Sequence, residues 1–251
     1  MRLKILLLFL LLSAASALHA QQVRIAIVVS ANAEWQVIKN TYPNERYTNS
    51  VYGEFFFKEL EAKNRKIKVL FYHQGWGKVA AAAATQYVIQ THNPKYIINL
   101  GTCSGFEGST ERFSTILAEK TVIYDINEAI GDTQAATQHY TTNIDLTWLG
   151  KNYPVEVLKG TLVSADGDLQ GKDIPQLTEQ YQAIAADWES GAIAHVAQRN
   201  KRRLLILRGV SDLVSSEGRE TYNNKELLKK NTEIVMKKLL AELPLWLERC
   251  R

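Results

Sequence analysis

Cysteine is nearly missing from this 251-residue chain: there are two, Cys103 in a glycine-rich stretch and Cys250 next to the end. Two cysteines so far apart exclude a disulfide framework as the source of stability. Proline is scarce as well, at five residues, and no repeat or low-complexity tract splits the chain. With 46% hydrophobic residues, the sequence can fill one large core, which excludes a disordered protein and favours a single globular domain. The five histidines (His19, His73, His92, His139 and His195) are isolated, with no H-E-x-x-H or Cys-x-x-Cys spacing. No metal site is expected from them, and no cofactor.

A large charge of one sign is also absent. Thirty Lys and Arg face 26 Asp and Glu; without Arg2 and Lys4 the count is 28 against 26, a formal charge of +2. That is too small for a nucleic-acid footprint, and none is expected. The short basic clusters at 63–68 and 201–203 precede apolar runs and read as solvated starts of strands. The apolar run at 5–12 falls far short of the ~20 residues that a membrane-spanning helix needs.

That run does have another reading. Arg2 and Lys4, then residues 5–12, then small residues through Ala20 make the three-part pattern of a secretory leader, with Ala15-Ser16-Ala17 and Leu18-His19-Ala20 as cleavage sites. The expected organisation is a leader at 1–20 and one domain at 21–251, periplasmic or secreted, with no membrane anchor after cleavage. No cysteine lies near the site to carry a lipid.

Within the domain, β-branched and aromatic runs predict strands at 23–30, 51–57, 67–72, 96–100, 114–124, 158–164 and 204–210. Helical patterns lie at 33–40, 78–91, 174–181, 190–200 and 224–243, the last disturbed at its end by Pro244. Strands alternating with helices predict an α/β class: a single-domain mixed, partly parallel β-sheet flanked by helices on both faces. Ligands of such sheets bind beyond the carboxyl ends of strands. The polar residues there are Glu34, the stretch Gly101-Thr102-Cys103-Ser104-Gly105, Asp187-Trp188-Glu189, and Ser211-Asp212.

Gly101 to Gly105 has the letters of a nucleophile elbow, G-x-C-x-G, but no helix pattern follows it directly. A small-residue turn whose N–H groups hold a ligand is the better reading. "GWGKVAAAAATQYVI", from Gly75, matches neither the G-x-G-x-x-G nor the Walker pattern, and its glycines and alanines serve close packing. Asp187 and Glu189 precede a helix, where a negative charge is favoured by the dipole, so Asp187 is left open between cap and function. Asp212 ends an apolar strand. A carboxylate there pays for desolvation unless something uses it.

Taken in order, "IAIVVSANAEW", "GWGKVAAAAATQYVI", "INLGTCSGF", "GTLVSAD", "ADWESGAIAHVA" and "RGVSDL" resemble the bacterial 5′-methylthioadenosine/S-adenosylhomocysteine nucleosidases, within the wider nucleoside phosphorylase superfamily. The resemblance implies the fold just described, a homodimer whose neighbour closes the 5′ pocket, and hydrolysis of a purine nucleoside with an apolar 5′ substituent. It implies that Asp212 is the general acid at N7 of the base, that Glu34 positions and deprotonates water, and that Glu189 holds the ribose hydroxyls. Trp188 stands where the family usually has a methionine against the sugar. Thr102, Cys103 and Ser104 would line the floor, Ser211 would orient the base, Leu169 would line the base site, and Tyr222 and Phe56 would belong to the apolar 5′ pocket.

This sequence departs from the family at Asp168, which occupies the place of an aromatic that stacks on the base. Two alternatives stand beside the hydrolase. A phosphorylase would need cations or an N–H nest for phosphate, where this chain offers Glu34. A non-catalytic exported purine-binding protein would have no use for Glu34, Glu189 and Asp212 together.

Overall fold

The computed structural model describes residues 22–251; the leader expected at 1–20 lies outside them. Among the described residues the chain runs β1 (Ile25–Val29), α1 (Asn32–Thr41), β2 (Thr48–Ser50), β3 (Gly53–Ala62), β4 (Arg65–His73), α2 (Lys78–His92), β5 (Tyr96–Phe106) and β6 (Thr115–Ile123). It continues through α3 (Thr133–His139), β7 (Thr141–Asn143), β8 (Leu158–Ser164), α4 (Ile174–Tyr181), β9 (Ala183–Asp187), α5 (Ser190–Arg199), β10 (Arg203–Ser215), β11 (Gly218–Arg219) and α6 (Lys225–Leu247).

β1 reads IAIVV with every residue buried. It lies between β4 and β5, parallel to both, and a central strand covered on both faces has no reason to alternate polar with apolar. Its side chains still alternate in destination. Ile25, Ile27 and Val29 pack with Trp35 and Ile38 of α1 and with Val235, Leu239, Leu243 and Trp246 of α6. Ala26 and Val28 face the other way, onto Ala81, Ala84 and Val88 of α2 and Ile193, Ala194 and Ala197 of α5. The alanines of α2 let that helix lie close to the sheet.

The strand order is β11-β10-β6-β8-β9-β5-β1-β4-β3-β2, with β7 on β6. β10 also pairs in parallel with β5, so β10, β6, β8, β9 and β5 close into a ring from which β1, β4, β3 and β2 extend as an open sheet. The sheet is mixed: β6–β8 and β8–β9 are parallel, while β5–β9 and β10–β6 are antiparallel. This is the α/β class that the sequence predicts, with a closure that no local pattern announces.

Two local differences reshape the site. Residues 101–105 form no turn, because Thr102, Cys103, Ser104 and Gly105 pair in register with Gly209, Val210, Asp212 and Leu213, carrying β5 to Phe106. β10 likewise runs to Ser215, and the register shifts between Val210 and Asp212. Asp212 therefore lies inside a strand just after a bulge, a device that re-aims side chains beside functional clefts. Pro244 sits within α6, which continues to Leu247.

Candidate active site

The carboxyl ends of β1, β5, β9 and β10 meet around one open cavity, lined among others by Ala31, Glu34, Thr102, Cys103, Ser104, Trp188, Glu189 and Ser211. Eight of the eleven expected site residues line it directly, Leu169 included. Asp212 is wholly buried next to Ser211 and joins the cavity through Ser104, whose hydroxyl donates to Asp212 Oδ2 at 3.0 Å.

One end of the cavity is built on Glu34. It occupies the first turn of α1 and is buried. Its Oε1 accepts hydrogen bonds from the backbone N–H (2.6 Å) and hydroxyl (2.8 Å) of Thr102, and its Oε2 from the Ala31 N–H (3.2 Å). Beneath it lies Arg208, buried in the middle of β10. Its guanidinium is 2.9 Å from Asp187, 3.8 Å from Glu189 and 3.9 Å from Glu34, and it also donates to Ser190 Oγ and the Thr102 carbonyl. Nη2 of Arg208 has no hydrogen-bond partner among the described residues. Gly101 makes room for this group, since a Cβ there would stand 2.0 Å from Arg208 Nη1 and 2.9 Å from Glu34 Oε1.

Three carboxylates around one cation leave an excess of negative charge. Glu189, which stands just before α5 and accepts from the Gly77 N–H at 3.1 Å, absorbs it. Burial first, then Asp187 and Glu34, push its carboxyl up to about 8 against the opposing pull of Arg208 and Gly77. Asp187 is instead consumed by structure: Oδ1 accepts from the Ser164 hydroxyl and the Ser190 N–H, and Oδ2 meets the Ser190 hydroxyl and Arg208. It caps α5 and anchors the arginine.

The other end is built on Asp212. The Ser211 hydroxyl lies 2.7 Å from Asp212 Oδ1, and Asn231 of α6 holds the bulge by donating to the Ser211 carbonyl at 2.7 Å. Arg219 on β11 lines the cavity and pairs with Asp212 at 2.5 Å. Cys103, between the two ends, is a buried strand residue with its thiol 3.7 Å from the Gly209 carbonyl. Burial above all, with Asp187 adding, pushes that thiol well up, so it is no ready nucleophile. Trp188 stacks on Trp76, with ring centroids 4.8 Å apart, at the cavity wall.

Two expected residues lie elsewhere. Phe56 belongs to the hydrophobic core, stacked on Phe71 and packed against Trp35, Tyr42 and Tyr47, because its side of β3 faces α1 and not the cavity. Tyr222 is 56% exposed and borders an adjoining surface groove, which shares Leu169 and Arg219 with the cavity. Sequence reasoning in turn missed Arg208, Arg219 and Trp76. Arg208 was detectable as a charge inside an otherwise apolar strand; Arg219 and Trp76 sit in polar or glycine-rich stretches with no such mark.

The fold and cavity define an α/β protein whose acids converge at the carboxyl edge of the sheet from four separate strands or helix starts. Residues 24–243 match the profile of the phosphorylase superfamily, and the chain belongs to that superfamily. It is 21% identical over 228 residues to the 5′-methylthioadenosine/S-adenosylhomocysteine nucleosidase of Bacillus subtilis (strain 168), covering 85% of this chain and 97% of that one. It is 29% identical over 203 residues to the enzyme of that name from Buchnera aphidicola subsp. Acyrthosiphon pisum (strain Tuc7), covering 76% and 85%. In fold it is similar to the Helicobacter pylori nucleosidase solved with butyl-thio-DADMe-Immucillin-A, with a TM-score of 0.70 at 14% identity over 88% of this chain and 98% of that one.

Proposed function

We propose that the chain hydrolyses the N-ribosidic bond of a purine nucleoside, an adenine nucleoside with an apolar 5′ substituent such as methylthioadenosine or S-adenosylhomocysteine. The observation that carries it is the separation of two buried carboxylates, Glu34 and Asp212, at opposite ends of one cavity. Cleavage of this bond passes through an oxocarbenium-like sugar and needs an acid for the leaving base and a base for water.

The base lies toward Ser211, Leu169 and Asp212, and the ribose toward Glu189 and Trp188. As the C1′–N9 bond breaks, its electron pair goes to the purine, which takes a proton at N7 from Asp212. Water attacks C1′ and gives its proton to Glu34, whose carboxylate is oriented by Thr102. The carboxyl of Glu189 accepts from or donates to the ribose hydroxyls, a flexibility that its raised proton affinity provides. Water is favoured over phosphate because Arg208, the cation beside Glu34, is already ringed by three carboxylates. An arriving phosphate dianion would meet net negative charge.

The leader pattern of residues 1–20 supports a periplasmic or secreted enzyme without a membrane anchor after cleavage, and the family resemblance supports a homodimer. Incubating the mature chain with adenosine, inosine, methylthioadenosine and S-adenosylhomocysteine, with and without phosphate, tests the reaction by chromatography. Free adenine with a free 1-hydroxyl sugar, indifferent to phosphate, is expected. Strict phosphate dependence would make it a phosphorylase, and binding without release a carrier. Mass analysis of the protein from the periplasmic or culture fraction tests export by its first residue.

A further inference from the structure

The guanidinium of Arg219 lines the cavity but takes no part in the proposed reaction. It stands on a two-residue strand and forks onto the acid, with Nε 2.5 Å from Asp212 Oδ2 and Nη2 3.2 Å from Oδ1. Ser104 adds a donor at Oδ2 and Ser211 one at Oδ1. Each carboxylate oxygen thus meets two donors, the full complement of its lone pairs. An acid in that state has no oxygen left for a purine nitrogen. The remaining nitrogen, Nη1, lies 3.5 Å from Asp168 Oδ1, and that carboxylate stands half in solvent.

Resting on the nucleosidase reading, we infer that Arg219 is a positioning residue that occupies both oxygens of Asp212 and passes to Asp168 when a purine enters. The transfer exchanges one carboxylate partner for another, so the guanidinium stays paired throughout. Asp212, released, takes a proton from solvent and presents it to N7; that proton leaves with the base, and Arg219 returns to the bare carboxylate. Asp168 is then the landing place of the arginine and not a contact of the base.

The other ionisable groups around Asp212 leave this assignment intact. Cys103 on β5 is held neutral by burial. Glu220 on the far side of β11 accepts from the Leu213 N–H and is paired with Arg112. Tyr222 acts on the arginine, whose positive charge it favours. Arg208 is bound to its own three carboxylates. For Arg219 itself, burial would lower its affinity for a proton, but Asp212 and Asp168 outweigh that and keep it firmly cationic.

The test uses the mature chain, with R219M retaining the apolar stem and R219K retaining the charge without the fork. Adenine binding is measured by titration calorimetry from pH 5 to 9, and kcat/KM for methylthioadenosine over the same range. In R219M the alkaline limb of kcat/KM should move up by roughly one pH unit, and adenine should bind roughly tenfold tighter at pH 8, the scale of an arginine's effect on a neighbouring carboxyl. R219K should fall between. D168N should lower kcat/KM chiefly through KM, and its effect should shrink severalfold in the R219M background. An R219M enzyme with an unmoved alkaline limb and unchanged adenine affinity would overturn the inference while leaving the nucleosidase reading in place, as would a D168N effect of equal size in both backgrounds. If wild type and R219M both fail to bind adenine, the nucleosidase reading fails and this inference with it.

Discussion

The two ends of the cavity solve the same problem, a buried acid beside an arginine, in opposite ways. At the Glu34 end the arginine belongs to a central strand: Arg208 is packed inside β10, tied to Asp187 and Ser190, and roofed by the side-chain-free Gly101. At the Asp212 end the arginine comes from a short surface strand, and Arg219 shares itself between a buried partner and an exposed one. An ion in the first setting is a scaffold, since its removal would strand three carboxylates. An ion in the second is reachable from solvent and has a second carboxylate beside it. The difference teaches that charge pairing alone does not tell a structural arginine from a functional one; the element that carries it does.

The largest effect should come from breaking the scaffold. R208M leaves Glu34, Asp187 and Glu189 buried around no cation and should cost about 3–5 kcal/mol of unfolding free energy, the usual penalty for removing one partner of a buried pair. Chemical denaturation of R208M beside R219M sharpens the contrast, because R219M leaves one buried acid without its cation, not a cluster of three, and should lose less. Equal losses would erase the distinction between the two ends.

At the Asp212 end the expected damage is to turnover. Asp212→Asn keeps the size and most hydrogen bonds of the side chain but cannot deliver a proton, so adenine release should fall at least ~100-fold with the fold intact, the lower end of what general acid catalysis contributes. A near-normal rate would show that Asp212 only caps the bulge.

A smaller effect should appear in stability against pH. Glu189 in the folded chain holds its proton up to about 8, whereas in an unfolded chain it would lose it near ~4.3. Between those values the native state binds more protons than the unfolded one, so this group's contribution is full below the lower value and is lost as pH rises through the upper. Glu189→Gln should remove that slope, giving a melting temperature that falls less from pH 5 to 8 than in wild type. An unchanged slope would place the proton on another group of the cluster.

The smallest change belongs to the residue between the two ends. Cys103→Ala should keep most activity, and brief thiol alkylation should spare the enzyme unless added bulk blocks the cavity. Total loss of activity in a folded Cys103→Ala protein would make Cys103 a nucleophile and break the reading of both ends.

Composition and periodicity by themselves determined that this chain makes one α/β domain. The buried run of β1, the alanine helix α2 and the order of strands and helices report the local backbone and the need to hide apolar surface, both of which neighbouring residues decide. Glu34, Glu189 and Asp212 were also legible, because acids at strand ends or helix starts stand out against apolar surroundings. Only the tertiary structure decided the rest. Whether residues 101–105 turn or continue as strand depended on β10 lying alongside them, a partner more than a hundred positions away. Phe56 left the site because a residue's facing is set by what packs on its strand, and Tyr222 sits in the turn after β11, beside an adjoining groove. Arg219 reached Asp212 because β11 folds back on β10, and an ion pair depends on distance in space, which spacing along the chain does not encode.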